Sequence, residues 1–228
     1  MDKYCIVFNL FQGYTTINTV RNYCSCDHNC YICNCGVSKN GSISSLDVWT
    51  AKFFDEYIVW HHSGTAKLCS WIALEMDMCV QDRKSLVQAA LLHDIGKLFI
   101  PHIILTKMGI LSDEEMAVMK THSSAGADFL SNIGVPDDIV IATKHHHERF
   151  DGTGYPDGLR RYDIPLNSRI ISVADTLDAM LSGRHYHISK YSHFEIVKVL
   201  ENGAETQYDS QITDIAVKYI LKKERMYV

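Results

Sequence analysis

The stretch LLHDIGK, residues 91–97, sets a histidine beside an aspartate where the surrounding apolar spacing reads as buried helix. Val87, Ala90, Leu91 and Asp94 fall at i, i+3, i+4 and i+7, and Leu86, Ala90 and His93 form the neighbouring stripe. A carboxylate and an imidazole are thus directed into an apolar interior. An unpaired charge there costs several kcal/mol or is neutralised by a shifted pKa. Any fold this chain adopts must supply a partner for the pair.

The surrounding body, residues 46–228, reads as all-α, a bundle of about seven helices. The helical stretches are 47–76, 82–94, 112–133, 136–147, 167–182, 192–202 and 210–223. Gly64 weakens the first of them. Ser112 with Glu115 three residues on is a capping-box start, and Pro136 followed by acids opens the next helix. DGTGYPDG, residues 151–158, has the composition of a loop. No alternating βαβ pattern is present.

The opening anomaly recurs along these helices. His62 shares a face with Ile58, Val59, Ala66 and Cys69, and His122 with Val118, Met119, Ala125, Gly126 and Phe129. His146 lies with Ile139 and Ala142, and Asp175 with Ile171 and Ala174. A single inward histidine is most simply a hydrogen-bonded core residue. The same pattern on several helices is how a bundle builds a metal site. Shared cations would offset the carboxylate desolvation and use the imidazoles in neutral form. Mixed imidazole and carboxylate donors suit iron, manganese, zinc or nickel. His62, His93, Asp94, His122, His146, His147 and Asp175 are too many for one ion with an open position. Two ions bridged by a carboxylate and a water would use them all, the chemistry of phosphoester hydrolysis.

Composition bounds the rest. The chain has 228 residues, 46% hydrophobic and 21% charged, with a formal net charge of −5. That balance fits one substantial core with a small appendage and argues against coating a DNA or RNA polymer. No apolar run is long enough to span a membrane, and the first residues make a poor secretory signal. Eight cysteines then suggest a reduced, cytoplasmic chain. Cys24, Cys26, Cys30, Cys33 and Cys35 crowd into a Cys-rich N-terminal segment, residues 1–45, of uncertain fold. They form a candidate separate metal module, set against a redox-exposed tail. YCIVFNL, residues 4–10, has strand character.

HDIGK followed by HHERFDGTGYP resembles the HD-GYP domain, a subgroup of the HD phosphohydrolase superfamily, over roughly residues 55 to 222. The resemblance implies an HD-type helical bundle and hydrolysis of cyclic di-GMP to linear pGpG or on to GMP, by a hydroxide activated between two metal ions. It makes His62, His93, Asp94, His122, His146, His147 and Asp175 the ligands, with Asp94 bridging. It sets Lys97 beside the phosphate, Tyr155 as an aromatic face toward substrate and Arg184 on the nucleotide backbone. Asp151 would orient the loop or a ligand histidine.

Two departures stand out. Some members carry a glutamate one turn before the first histidine and use it for a third metal; Ile58 stands there. After the last aspartate the family often reads DRPYRKA, whereas this chain has SGRHYHISK, with His185 and His187 in place of a proline and a basic residue. Substrate identity therefore stays open among cyclic di-GMP, cyclic GMP-AMP and a mononucleotide. The alternative is a catalytically weak cyclic-dinucleotide sensor, and a homodimer or a signalling partner is compatible with either. His61 and His145 are read as non-ligands, and Asp178 is given no role.

Overall fold

The computed structural model describes residues 4–11, 14–21, 56–182 and 191–226, and side-chain surroundings over 61–182 and 191–222. The chain separates into two compact units, Met1–Trp60 and His61–Val228. In the first, β1 (Tyr4–Phe11) and β2 (Tyr14–Arg21) pair antiparallel, from Tyr4 opposite Arg21 to Phe11 opposite Tyr14. The strand expected at 4–10 is β1. The cysteines from Cys24 to Cys35 lie outside the described residues, as do Arg184, His185 and His187.

The rest is helical. The elements are α1 (Glu56–Glu75), α2 (Val80–Leu92), α3 (His102–Leu105), α4 (Asp113–Lys120), α5 (His122–Asn132), α6 (Asp137–His145), α7 (Leu166–Ser182), α8 (His193–Gly203) and α9 (Ser210–Met226). A 3-10 turn, Ile95–Phe99, follows α2. Among the described residues, all but the four-residue α3 run to eight residues or more. This is the expected all-helical bundle, with eight helices of eight residues or more among the described residues, one more than the expected seven. The extra helix arises at Thr121, where the expected single helix 112–133 breaks. Thr121 turns its hydroxyl and its N–H onto the Val118 carbonyl, an alternative that competes with continuing the helix.

Local chemistry explains the boundaries. Ser112 and Glu115 make the expected reciprocal capping box, and Ser192 with Glu195 makes a second. The Cys79 thiol accepts from the Asp82 N–H at the start of α2. The core is aliphatic: Ile72, Leu86, Leu130, Ile139, Ile170, Ile171, Leu177, Ile196, Leu200 and Ile212 are fully buried. Helix α6 packs on α2, α5 and α7, while α8 and α9 pair with each other and lean on α7. Among the described residues, no helix is long and apolar enough to cross a membrane.

Candidate metal centre

Helix ends aim three of the histidines. His93 is the residue that closes α2, His122 opens α5, and His146 closes α6. Each donates its Nδ1–H to a carbonyl three residues back: His93 to Ala90 (2.7 Å), His122 to Met119 (2.7 Å) and His146 to Thr143 (2.6 Å). The last carbonyls of a helix have no intrahelical donor, so an imidazole that follows can satisfy one. The bond fixes ring orientation and leaves Nε2 as the free donor atom of the neutral ring.

Those Nε2 atoms converge on Asp94, which is 4% exposed and sits between α2 and the 3-10 turn. Its two oxygens divide the imidazoles. Oδ1 lies 3.2 Å from His122 and 3.9 Å from His146. Oδ2 lies 3.3 Å from His93, 3.8 Å from His62 and 2.5 Å from the Lys97 ammonium. Asp175 Oδ1 is 3.8 Å from His93 Nε2, so it joins the second set. His147 completes the first: Asp94, His122, His146 and His147 each offer a ligand atom within 4.8 Å of the others.

The electrostatics match that arrangement. Burial lowers His62 to about 4 and His147 to about 4, and burial with the neighbouring imidazoles holds His146 well below its ordinary value. Burial would also lower His93, but the charges of Asp94 and Asp175 outweigh it and raise the ring. Burial opposes ionisation of Asp94, yet Lys97 and the surrounding histidines keep its carboxyl well below the usual range. Neutral His62, His146 and His147 beside an ionised Asp94 are in the protonation states that metal ligation needs, whereas His93 has to give up its proton to bind an ion. The buried Nε2 of His93 has no hydrogen-bond partner among the described residues, and the Nε2 atoms of His122 and His146 face each other at 3.5 Å. Lone pairs so opposed call for a cation between them. The donor set fits one.

The DGTGYP loop forms one wall. The Tyr155 ring stacks on His147 with centroids 4.9 Å apart, and the Lys120 ammonium lies 5.4 Å from the Tyr155 ring centre. Burial, with Asp94 and Asp175 nearby, raises the Tyr155 phenol, which therefore stays protonated. Asp151 accepts from the Thr153 N–H and hydroxyl, so it orders the loop itself. His145 turns toward Asp157 (3.0 Å) and away from the Asp94 cluster.

Glu148 and Gly154, to which the sequence reading gave no role, anchor this wall. Buried Glu148 accepts the N–H groups of Asp157 (2.7 Å) and Leu159 (3.1 Å), tying the loop to the segment that carries His146 and His147. Gly154 sits so close that a Cβ there would fall 2.2 Å from the Arg149 nitrogen. Glu148→Gln turns one acceptor into an NH2 facing a backbone donor, at a cost of about 1–3 kcal/mol. A thermal melt should fall accordingly, with metal content retained.

The other pair is His61 and Asp178. His61 Nε2 meets Asp175 Oδ1 at 2.8 Å and its Nδ1 meets Asp178 Oδ2 at 2.7 Å. Burial pulls His61 down, but the two carboxylates prevail and lift it to about 9. The repeat of aspartates at 175 and 178, one helical step of three apart, was the available signal.

A profile of the HD domain family matches residues 45–212 of this chain. The cyclic di-GMP phosphodiesterase response regulator RpfG of Xanthomonas campestris pv. campestris is 44% identical over 118 residues, 50% of this chain and 31% of that protein. The 3'3'-cGAMP-specific phosphodiesterase 1 of Vibrio cholerae is 33% identical over 184 residues, 80% of this chain and 42% of that one. The chain thus spans less than half the length of these curated relatives. Among solved structures, Bd1817, an HDG"Y"P protein from Bdellovibrio bacteriovorus, superposes with a TM-score of 0.60 at 22% identity, over 78% of this chain and 57% of that one. At that identity the likeness speaks to the fold.

Proposed function

We propose, from the premise that this chain belongs to the HD domain family, that it hydrolyses the phosphodiester of a cyclic dinucleotide at a two-metal centre. The observation that carries the reading is the division of imidazoles between the two oxygens of Asp94. One carboxylate with a separate set of imidazole donors on each oxygen is the arrangement for two ions. His62, His93 and Asp175 would hold one, His122, His146 and His147 the other, and Asp94 both. When bound, metal ions here would supply positive charge at the phosphate and lower the pKa of a coordinated water. Iron or manganese are our first assignments, with zinc and nickel compatible with the same donors. The count of two rests on Ile58 standing where a third ion would need a carboxylate; its side chain lies outside the described residues.

The protein's own groups do the rest. Lys97, with 31% of its side chain exposed, holds its ammonium beside Asp94 and would offer it to a non-bridging phosphate oxygen. Tyr155, protonated, meets the substrate as a hydrogen-bond donor beside His147. Arg184 is kept as a contact to the nucleotide backbone. Removing the ammonium in Lys97→Ala should lower kcat/KM by roughly 10²–10³-fold, the usual loss for one preorganised donor. Metal content should be unchanged, because all seven proposed ligands remain.

Cyclic di-GMP is the first substrate. Cyclic GMP-AMP is the second, on the strength of the Vibrio cholerae relative and of His185 and His187. Metal-loaded protein offered both dinucleotides, with products resolved by chromatography, decides. Turnover of neither would overturn the hydrolase in favour of a sensor. The cysteines from Cys24 to Cys35 are kept as a separate module. Serine at Cys24, Cys30 and Cys33 should then lower metal content per chain without changing turnover.

A further inference from the structure

Gly64 is out of place by helix propensity. It lies inside α1, where glycine costs about 1 kcal/mol relative to alanine. The reason lies across the interface with α7. A Cβ at 64 would fall 1.9 Å from Asp178 Oδ1 and 2.6 Å from its Cγ, so the missing side chain is the space the Asp178 carboxylate occupies. Asp178 is 9% exposed, and it uses that position to hold His61 Nδ1 at 2.7 Å. The other ring nitrogen of His61 holds Asp175 Oδ1 at 2.8 Å, and that same oxygen faces His93 Nε2 at 3.8 Å.

We infer that His61 and Asp178 are positioning residues for the metal centre, the row Asp178–His61–Asp175 fixing the Asp175 carboxylate toward the cation shared with His93. The inference rests on the reading of Asp175 as a ligand. A carboxylate ligand that is not hydrogen-bonded on its outer side can swing among rotamers, and a partner that locks it typically contributes 10- to 100-fold in metal affinity. The imidazole spans two carboxylates three residues apart on α7, one on each ring nitrogen. His61 also offers a ring nitrogen within 4.8 Å of ligand atoms of His93 and Asp94. A direct ligand role for His61 is therefore the competing assignment, and the test must separate the two.

The test is a double-mutant cycle on the full chain, with Mn(II) affinity read from the paramagnetic resonance of free ion. Asp178→Asn, His61→Gln and Gly64→Ala are each made in the wild-type background and in Asp175→Asn. Gly64→Ala alters no titratable group and improves helix propensity, so it carries the test even where Asp178→Asn fails to fold. In the wild-type background each should weaken one of the two binding steps by roughly 10- to 100-fold. In the Asp175→Asn background each should change affinity less than about twofold, since residues acting through one another are non-additive. Equal losses in both backgrounds would overturn the inference, and for His61→Gln they would make it a ligand. Unchanged affinity in the wild-type background would overturn it as well. Asp175→Asn alone serves the underlying reading: if that variant keeps wild-type affinity, the ligand assignment fails, whatever the other variants do.

Discussion

Asp94→Ala is expected to lose both metal ions and all measurable hydrolysis while keeping its helical content. Every other proposed ligand serves one side of the centre, whereas Asp94 meets His122 and His146 with one oxygen and His62 and His93 with the other. Loss of a group that merely orients a ligand costs 10- to 100-fold in affinity, so loss of a ligand common to two ions should exceed about 100-fold. The fold should survive, because the charge left behind is not trapped. The Lys97 side chain is 31% exposed and can turn to water. His62, His146 and His147 are already held neutral by burial. Asp94→Asn is the sharper companion: it keeps the shape and one carbonyl oxygen, yet gives one ion set an amide in place of a carboxylate oxygen. Elemental analysis after reconstitution, chromatography of the products and circular dichroism check all three statements. A full metal complement in Asp94→Ala would end the two-metal reading.

The centre was legible in the sequence through residue type more than through periodicity. The Leu86, Ala90, His93 stripe is buried as expected, but Val87 and Leu91 are only half-buried. Helix α2 stops at Leu92, and Asp94 reaches the interior from a turn, not from a helical face. The expectation of a helix through residue 94 was thus too long by its most important residues. A histidine at a helix end gains a carbonyl acceptor that mid-helix positions lack, and apolar spacing does not record this. The break at Thr121 was hidden for a related reason. No glycine or proline marks it, and it rests on one hydroxyl choosing the Val118 carbonyl.

Partners that come from afar in the chain were the least legible. Glu148 looked like one letter in a motif, and its task is set by N–H groups nine and eleven residues ahead. His61 and His62 are neighbours with the same side chain. Only the arrival of α7, 117 residues away at Asp178, gives the first of them to Asp175 and Asp178 and leaves the second to Asp94. Gly64 was read as a flaw in a helix, and it is the space that Asp178 fills.

A methyl group at Gly96 is expected to damage stability and metal binding together. Gly96 lies in the 3-10 turn that follows Asp94, where that turn crosses the start of α5. A Cβ there would fall 1.8 Å from the His122 carbonyl oxygen, 2.7 Å from its carbon and 2.6 Å from the Gly126 nitrogen. The contact is mutual, since a Cβ on Gly126 would come within 2.9 Å of the Gly96 nitrogen. All of these are backbone atoms, so no side chain can rotate aside. The turn and the helix must separate by more than an ångström. Overpacking of a well-filled site costs 1–3 kcal/mol, and a rigid backbone contact belongs at the upper end, about 3 kcal/mol. At 2–4 °C per kcal/mol for a chain of this size, Gly96→Ala should melt roughly 6–12 °C lower. The functional loss follows from what the separation moves. His122 opens α5 and its Nε2 sits 3.2 Å from Asp94 Oδ1, while Asp94 is two residues before the glycine. Forcing these segments apart therefore pulls one ligand set off the shared carboxylate. Gly134→Ala is the control. Its φ of +77° strains an alanine, but nothing lies within 4 Å of the added carbon, so it should lose about 1–2 kcal/mol and no metal affinity. Melting curves and Mn(II) titrations on the two variants separate a close approach from a conformational preference. Wild-type affinity in Gly96→Ala would mean that the crossing of the turn and α5 does not position the centre.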